Sequence, residues 1–391
     1  MQVKSKPALH ASWIDDRAKD IVKRLQNRGF KAYLVGGCVR DLLVGIHPKD
    51  FDIATSALPN EVKKNVPGSY VIGRRFRLVL VKRGLDQFEV ATFRRASRPE
   101  DFVESTENTD APAPSGDNFF GTPEEDALRR DFTINALFYD PVSEELIDFA
   151  NAMTDIKSQT LRMIGDPAAR IVEDPIRSLR AIRFAHKLGF RIESSLRDAI
   201  TKHTAEVGAA ILPRRREEFL KLLRLSEPSR AFFEMWDLGL VHTCFPTLVP
   251  IFEDPERLEI FMNYLDRMDE LVWNKDLTVE LYLPLVLAFE KASEGLPDFE
   301  RRRDQFFRDE VGLFKAEATE ILYAFETKEK LHSIDSFKKR GSRRQSAFLS
   351  QPSLPLAFRL ATFEHELAPS EYWFWHEKLF QRDHPSGQLD Q

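Results

Sequence analysis

Cysteine is nearly absent from this 391-residue chain: Cys38 and Cys244 are the only two, far apart and in no CxxC unit. That excludes a disulfide framework and a zinc site of ordinary spacing, and it fits a reducing cytoplasm. No apolar run approaches the length of a membrane span, so no membrane partner is expected. The opening stretch MQVKSKPALHASWIDD lacks an apolar core, and no secretory signal is expected from it. Excess positive charge is lacking too. The net charge is -5, so any nucleic-acid contact must rest on local basic patches. Two phosphate fingerprints are missing: neither the Walker pattern GxxxxGK(S/T) nor the dinucleotide pattern GxGxxG occurs. No tandem repeat is present.

What remains is 42% hydrophobic and 30% charged, enough apolar content for more than one buried core. Apolar residues Ile14, Ala18, Ile21, Val22 and Leu25 fall on one face of a helix expected from about Ser12 to Asn27. KAYLVGG reads as a short strand ending in glycine, VRDLLVG as a helix after the turn, FDIAT as a strand and NEVKKNV as a short helix. SYVIGRRFRLVLVKRG and DQFEVATFRR read as two adjacent strands joined at GLD. The polar, Pro-containing stretch from Ala96 to Asn118 reads as a mobile loop. Past LIDFANAMTDIKSQTLRMIGDP the strand signals stop, and from Glu173 onward the pattern is helical. The tail QRDHPSGQLDQ is expected to fray. The fold class is therefore α+β, a mixed sheet with helices followed by an all-α part. Expected domain spans are 1–150, 151–250 and 251–391.

The chemistry concentrates in YLVGGCVRDLLVGIHPKDFDIATSALPNEV, Tyr33 to Val62. Gly36 and Gly37 have no Cβ, so a turn there can approach a ligand closely. A helix starting at that turn would aim free N–H groups at the same point, which suits phosphate, and Arg40 adds a forked cation. Asp50 and Asp52 flank Phe51. On a strand, period-two geometry puts both carboxylates on one face. Two hard oxygen ligands on a rigid element suit Mg²⁺, which fills its shell with water and substrate phosphates. Glu89, in FEVATF, is the natural third carboxylate. Taken singly, a Gly-Gly pair is usually a turn and a DxD a solvated edge; their order and spacing give them weight.

The stretch resembles the signature of the class II polymerase-β-like nucleotidyltransferases, the family of bacterial poly(A) polymerases and CCA-adding enzymes. The resemblance continues through EEDALRRDFTINALFYD, Glu124 to Asp140, and EDPIRSLRAIRFAHKLGF, Glu173 to Phe190. It covers roughly Tyr33 to Pro246. It implies a nucleotidyltransferase head followed by a helical neck, body and tail. It also implies two Mg²⁺ ions held by Asp50 and Asp52, with ATP as substrate and the 3′ end of an mRNA or tRNA as acceptor. By the same resemblance Asp131 supports the catalytic carboxylates and Arg130 holds nucleotide phosphates. Asn135 is the remaining polar member of that block, and a polar group among core positions needs a partner. Arg177, Arg180 and Arg183 recur close to one helical face, and in isolation that is a solvated basic face. The family reading gives Asp174 and Arg177 the Watson–Crick edge of the incoming base, and Arg180 and Arg183 the triphosphate.

VIGRRFRLVLV, Val71 to Val81, and DNFFGTPEEDALRRDF resemble the poly(A) polymerase wording of the family, although Leu80 stands where those enzymes often have histidine. They favour AMP addition over its alternative, CCA addition to tRNA. An inactive RNA-binding scaffold on the same fold is the reading from another class, and loss of either aspartate would have favoured it. No His-Asp dipeptide occurs, which argues against the phosphohydrolase joined to some family members. Lys338, Lys339, Arg340, Arg343 and Arg344 form the densest basic run, a candidate RNA contact or an ordinary solvated helix end. A monomeric cytoplasmic protein is expected.

Overall fold

The computed structural model describes residues 3–6, 9–73, 78–96, 119–272 and 274–380. Most of the polar loop expected from Ala96 to Asn118, residues 74–77 of the VIGRRFRLVLV stretch and the tail expected to fray lie outside that set. Packing divides the chain into two compact units: Met1–Arg177 with Leu188–Lys202, and Ser178–Lys187 with His203–Gln391.

The first unit is built on an eight-stranded mixed sheet. Its strands are β1 (Val3–Ser5), β2 (Ala32–Val35), β3 (Ile53–Thr55), β4 (Ser69–Ile72), β5 (Leu78–Arg83), β6 (Asp86–Thr92), β9 (Leu137–Asp140) and β10 (Glu145–Asp148). They lie in the order β1-β10-β9-β2-β3-β6-β5-β4. Between β6 and β9 a small ladder joins β7 (Arg94–Arg95) to β8 (Phe119–Phe120). The β3–β6 pair is parallel, with Ile53 opposite Val90, and the other pairs of the large sheet are antiparallel. The SYVIGRRFRLVLVKRG stretch thus contains two strands, β4 and β5, paired with Tyr70 opposite Leu80. Period-two alternation in the sequence runs on from one strand into the next, so it does not reveal where one strand ends.

Helix α1 (Asp16–Gln26) is capped by the Asp15 side chain and buries Ala18, Ile21, Val22 and Leu25, the face expected from the sequence. These residues share one core with Leu34, Phe51, Ile53, Val81, Phe88 and Val90. A second core holds Val35, Ala54, Phe93, Phe138 and Ile147, together with Ala127 of α4 (Pro123–Leu128). The sheet is therefore covered on both faces, and β3 is buried at every position. Helices α2 (Gly37–Leu43) and α3 (Pro59–Asn65) follow β2 and β3.

Beyond β10 come α5 (Ala152–Lys157), α6 (Pro167–Glu173) and α7 (Ile176–Leu188), the last of which supplies residues to both units. Two short strands also lie here. β11 (Thr160–Leu161) pairs in parallel with β12 (Arg191–Ile192), which leads into α8 (Ser194–Lys202). One strand, β12, therefore lies past the point where the sequence signals stop, because two residues are too few to show a period. The second unit is helical among the described residues and includes α9 (Thr204–Ala209) and α10 (Leu212–Leu223). Its core is aromatic, with Phe219, Phe232, Phe245, Phe261, Phe289, Phe306 and Trp375 fully buried and Phe289 stacked on Phe306 at 4.3 Å. Both cysteines are buried.

Candidate active site

Gly36 closes β2 with φ 71° and ψ -125°, a conformation that L side chains rarely adopt. Its N–H donates to the Leu137 carbonyl at 3.2 Å, and the Val35 N–H donates to the Asp52 carbonyl at 3.0 Å. The turn is thereby fixed between β9 and the segment entering β3. A Cβ on Gly36 would lie 2.8 Å from Arg130 Nη1, so glycine is also what admits that guanidinium. Gly37 starts α2.

Asp50 and Asp52 stand just before β3 rather than within it, yet the alternation holds. Both are exposed, whereas Phe51 (7%) and Ile53 (1%) are buried. Glu89 on β6 is likewise exposed between buried Phe88 and Val90. Because Ile53 pairs with Val90 in parallel, one step back along both chains puts Asp52 beside Glu89. Local loss of hydration raises the Asp52 pKa, Glu89 and Asp50 raise it further, and Arg130 opposes them. Carboxylate repulsion that Arg130 offsets only in part fits a hard divalent cation, which would remove it. Among the described residues, no three acidic, histidine or cysteine side chains form a ready-made metal cage. Glu89 acts on Asp52 through its charge.

Arg130 is held by Asp126, which accepts from Nη2 at 3.0 Å, and by the Asn135 carbonyl, which accepts from Nη1 at 3.3 Å. Its Nε is buried and makes no hydrogen bond among the described residues. Asp126 also accepts from Arg129 at 2.7 Å. Burial works to raise the Asp126 pKa, but Arg130 and Arg129 hold it below the usual carboxylate range. Asp126 was not singled out from the sequence, although its i+3 and i+4 spacing to two arginines was a usable signal. Asp131 accepts from the Phe132 N–H at 2.8 Å and from Asn135 Nδ2 at 3.0 Å.

Arg40, expected on phosphate, is placed differently. It is 3% exposed, pairs with Asp41 at 2.6 Å, and donates from Nη1 to Asn135 Oδ1 at 2.5 Å. A guanidinium so enclosed and neutralised braces Asn135, and through it Asp131. Asn135 itself is 7% exposed and serves the same brace.

Asp174 caps α6 in an extended conformation, and its carboxylate accepts from the Ile176 N–H at 3.4 Å. Arg177 pairs with Glu173 at 2.7 Å, a residue not singled out from the sequence. Arg170, also missed, donates to the carbonyls of Arg129 and Arg130. Arg180 and Arg183, expected on the triphosphate, belong to the second unit. There Arg183 donates to Glu218 at 2.7 Å, and Arg180 approaches the same carboxylate at 3.8 Å. Burial works to raise the Glu218 pKa, while Arg183 and Lys221 hold it down, so Arg183 neutralises a buried acid on α10. In the basic run Lys338, Lys339, Arg343 and Arg344 are exposed. Arg340 is half-buried, 5.2 Å from the Phe348 ring.

Residues 32–162 match the family model described as the Poly A polymerase head domain, and residues 189–252 match the one described as a probable RNA- and SrmB-binding site of polymerase A. Poly(A) polymerase I of Haemophilus influenzae is 39% identical over 66% of this chain and 58% of its own length. The CCA-adding enzyme of Lactobacillus helveticus is 33% identical over 73% of this chain and 66% of its own length. The crystal structure of the Bacillus stearothermophilus CCA-adding enzyme in complex with CTP superposes with a TM-score of 0.65 at 26% identity, covering 94% of this chain and 81% of that one. The chain spans little more than half the length of the poly(A) polymerases it matches, 58% for the first. Two family models in sequence order, and a fold shared along nearly the whole chain, place it: the chain belongs to the polymerase-β-like nucleotidyltransferase family of bacterial poly(A) polymerases and CCA-adding enzymes.

Proposed function

We propose that this protein adds AMP from ATP to RNA 3′ ends without a nucleic-acid template and releases pyrophosphate. The observation that carries the reading is the exposed carboxylate row Asp50, Asp52 and Glu89, with Arg130 acting on Asp52 across the Gly36 turn. Asp50 and Asp52, with Glu89 beside them, would hold two Mg²⁺ ions, which when bound acidify the RNA 3′-hydroxyl and neutralise the leaving pyrophosphate. Arg130 orients the triphosphate, while Asp131, Asn135 and Arg40 keep that turn in place. Asp174 and Arg177 read the base with a fixed acceptor and donor. The RNA 3′ oxygen bonds to the α-phosphorus as the bond to the bridging oxygen of the β-phosphate breaks, and its proton leaves to solvent. Positioning and charge neutralisation supply most of the rate.

The helical part, 151–250 for the base and RNA and 251–391 for further RNA, would grip the acceptor, with Lys338, Lys339, Arg340, Arg343 and Arg344 on its phosphates. We assign the protein to the cytoplasm as a monomer. CCA addition to tRNA is the second reading, favoured by the likeness to the CTP-bound CCA-adding enzyme along 94% of the chain. Purified protein with magnesium and each nucleoside triphosphate in turn, on a generic RNA and on a tRNA lacking its 3′ end, separates the two. Long A tails from ATP alone are expected. Two C additions followed by one A and arrest would overturn the choice of product. No incorporation from any nucleotide would favour the RNA-binding scaffold.

A further inference from the structure

Arg170 sits at the centre of a chain of charge-assisted contacts within the first unit. Its Nη2 donates to the carbonyls of Arg129 at 2.7 Å and Arg130 at 2.8 Å. Its Nη1 meets Glu173 Oε2 at 2.7 Å, and the same oxygen takes Arg177 Nη1 at 2.7 Å. Arg177 Nη1 donates as well to the carbonyl of Arg170, at 2.7 Å. The side chains of Arg170 and Arg177 are only 19% and 13% exposed. Burying one guanidinium beside another is costly unless both are well bonded, and burial followed by Arg177 lowers the Arg170 pKa while Glu173 and Asp131 oppose them.

With Nη1 tethered to two acceptors, the Arg177 guanidinium cannot turn about its stem. The covalent fork then leaves the Nε–Nη2 side, the edge that makes bidentate contacts, aimed in one direction. The other end of the chain is the backbone of Arg129 and Arg130, immediately before Asp131.

We propose that Arg170, acting through Glu173, is the positioning residue for nucleotide choice: it locks the base-reading edge of Arg177 to the turn that carries Arg130 and Asp131. The proposal rests on the assignment of Arg177 to the base given above. Nucleotide discrimination then depends on two residues that touch no nucleotide, and the grip on phosphate and the reading of the base are set by one clamp.

The test is kcat and KM for all four nucleoside triphosphates in the wild type, Arg170→Lys, Glu173→Ala, Arg177→Ala and the double variant Glu173→Ala/Arg177→Ala, with melting temperatures alongside. Glu173 is mostly exposed (57%), so its truncation removes little packing, and the melting temperature reads what the two arginines lose with their shared acceptor. Arg170→Lys and Glu173→Ala are expected to lower the kcat/KM ratio between the best and poorest nucleotide by roughly tenfold, within the range of one missing hydrogen bond to a base. In the Arg177→Ala background Glu173→Ala is expected to add nothing, because it acts through Arg177. An unchanged ratio in Glu173→Ala beside a reduced one in Arg177→Ala overturns the clamp and leaves the base assignment standing. So does a uniform loss for every nucleotide with a lower melting temperature, which marks Arg170 as structural. If Arg177→Ala itself leaves the ratio unchanged, the base assignment fails and the clamp with it.

Discussion

Gly36→Ala perturbs two things at once, and the structure separates them. The backbone at φ 71° and ψ -125° would hold an alanine in a conformation that costs about 1–3 kcal/mol. For a unit of this size each kcal/mol lowers the melting temperature by about 2–4 °C, so a loss of several degrees is expected in a calorimetric scan. The new Cβ would also stand 2.8 Å from Arg130 Nη1. Moving the end of a flexible side chain is cheap for the fold but not for the site. Arg130 would leave its hold on Asp126 and the Asn135 carbonyl, 3.0 and 3.3 Å away. A charge-assisted hydrogen bond to phosphate is worth about 1.5–3 kcal/mol, which at 1.4 kcal/mol per decade raises KM for ATP by roughly 10- to 100-fold. The double variant Gly36→Ala/Arg130→Ala should be no worse in KM than Arg130→Ala alone, because the alanine acts on the nucleotide only through that arginine. A lower melting temperature with KM unchanged would remove Arg130 from the phosphates. An unchanged melting temperature would refute the strained turn itself.

Asp50→Ala and Asp52→Ala should each cut magnesium-dependent incorporation of labelled ATP by roughly a hundredfold or more; melting should be unaffected or slightly raised, because both side chains are exposed and repelled by like charge, and near-normal activity in either variant would refute the metal assignment. In the second unit, burial pushes the Glu310 carboxyl up to about 7, with hydrogen bonds from Thr247 and Gln305 pulling it back. Its folded pKa lies above the unfolded value, so its contribution is fully present below about pH 4 and lost as pH rises through about 7. Glu310→Gln should flatten a stability difference on the order of 1–3 kcal/mol between about pH 5 and about pH 8, read from urea midpoints, and equal slopes in both proteins would exclude it. Replacing Lys338, Lys339, Arg343 and Arg344 by serine should weaken RNA binding alike for all sequences and reduce its salt slope by about 0.7 for each RNA phosphate that is no longer neutralised; an unchanged slope returns the run to ordinary surface.

Period two made the carboxylate row legible: Asp50-Phe51-Asp52-Ile53 and Phe88-Glu89-Val90 alternate in the sequence as they alternate between solvent and core. The α1 face was legible for the same kind of reason, at helical period. What periodicity could not supply was an end point. It does not distinguish one strand from two across residues 69–83, and it has nothing to act on in the two-residue strands β11 and β12.

The arginines show where sequence reading stops. Residue type told that Arg40, Arg130, Arg177, Arg180 and Arg183 could each bind an anion, but the anion a guanidinium meets is chosen by the fold. Arg40 finds Asn135 across 95 positions, and Arg183 finds Glu218 across 35. No local pattern encodes either meeting. The i+3 and i+6 spacing of Arg177, Arg180 and Arg183 was real, yet spacing fixes only the face of the helix, not the carboxylate that packs against it. Arg170 shows the converse. Its spacing of three to Glu173 was visible in the sequence, but Arg177 lies on α7, beyond the extended Asp174, and the meaning of Arg170 came from the carbonyls of Arg129 and Arg130, about forty positions earlier. Backbone acceptors carry no mark in a sequence. A buried arginine that serves them can be found only once the chain is folded, and its importance must be tested through the side chain it holds rather than through any ligand of its own.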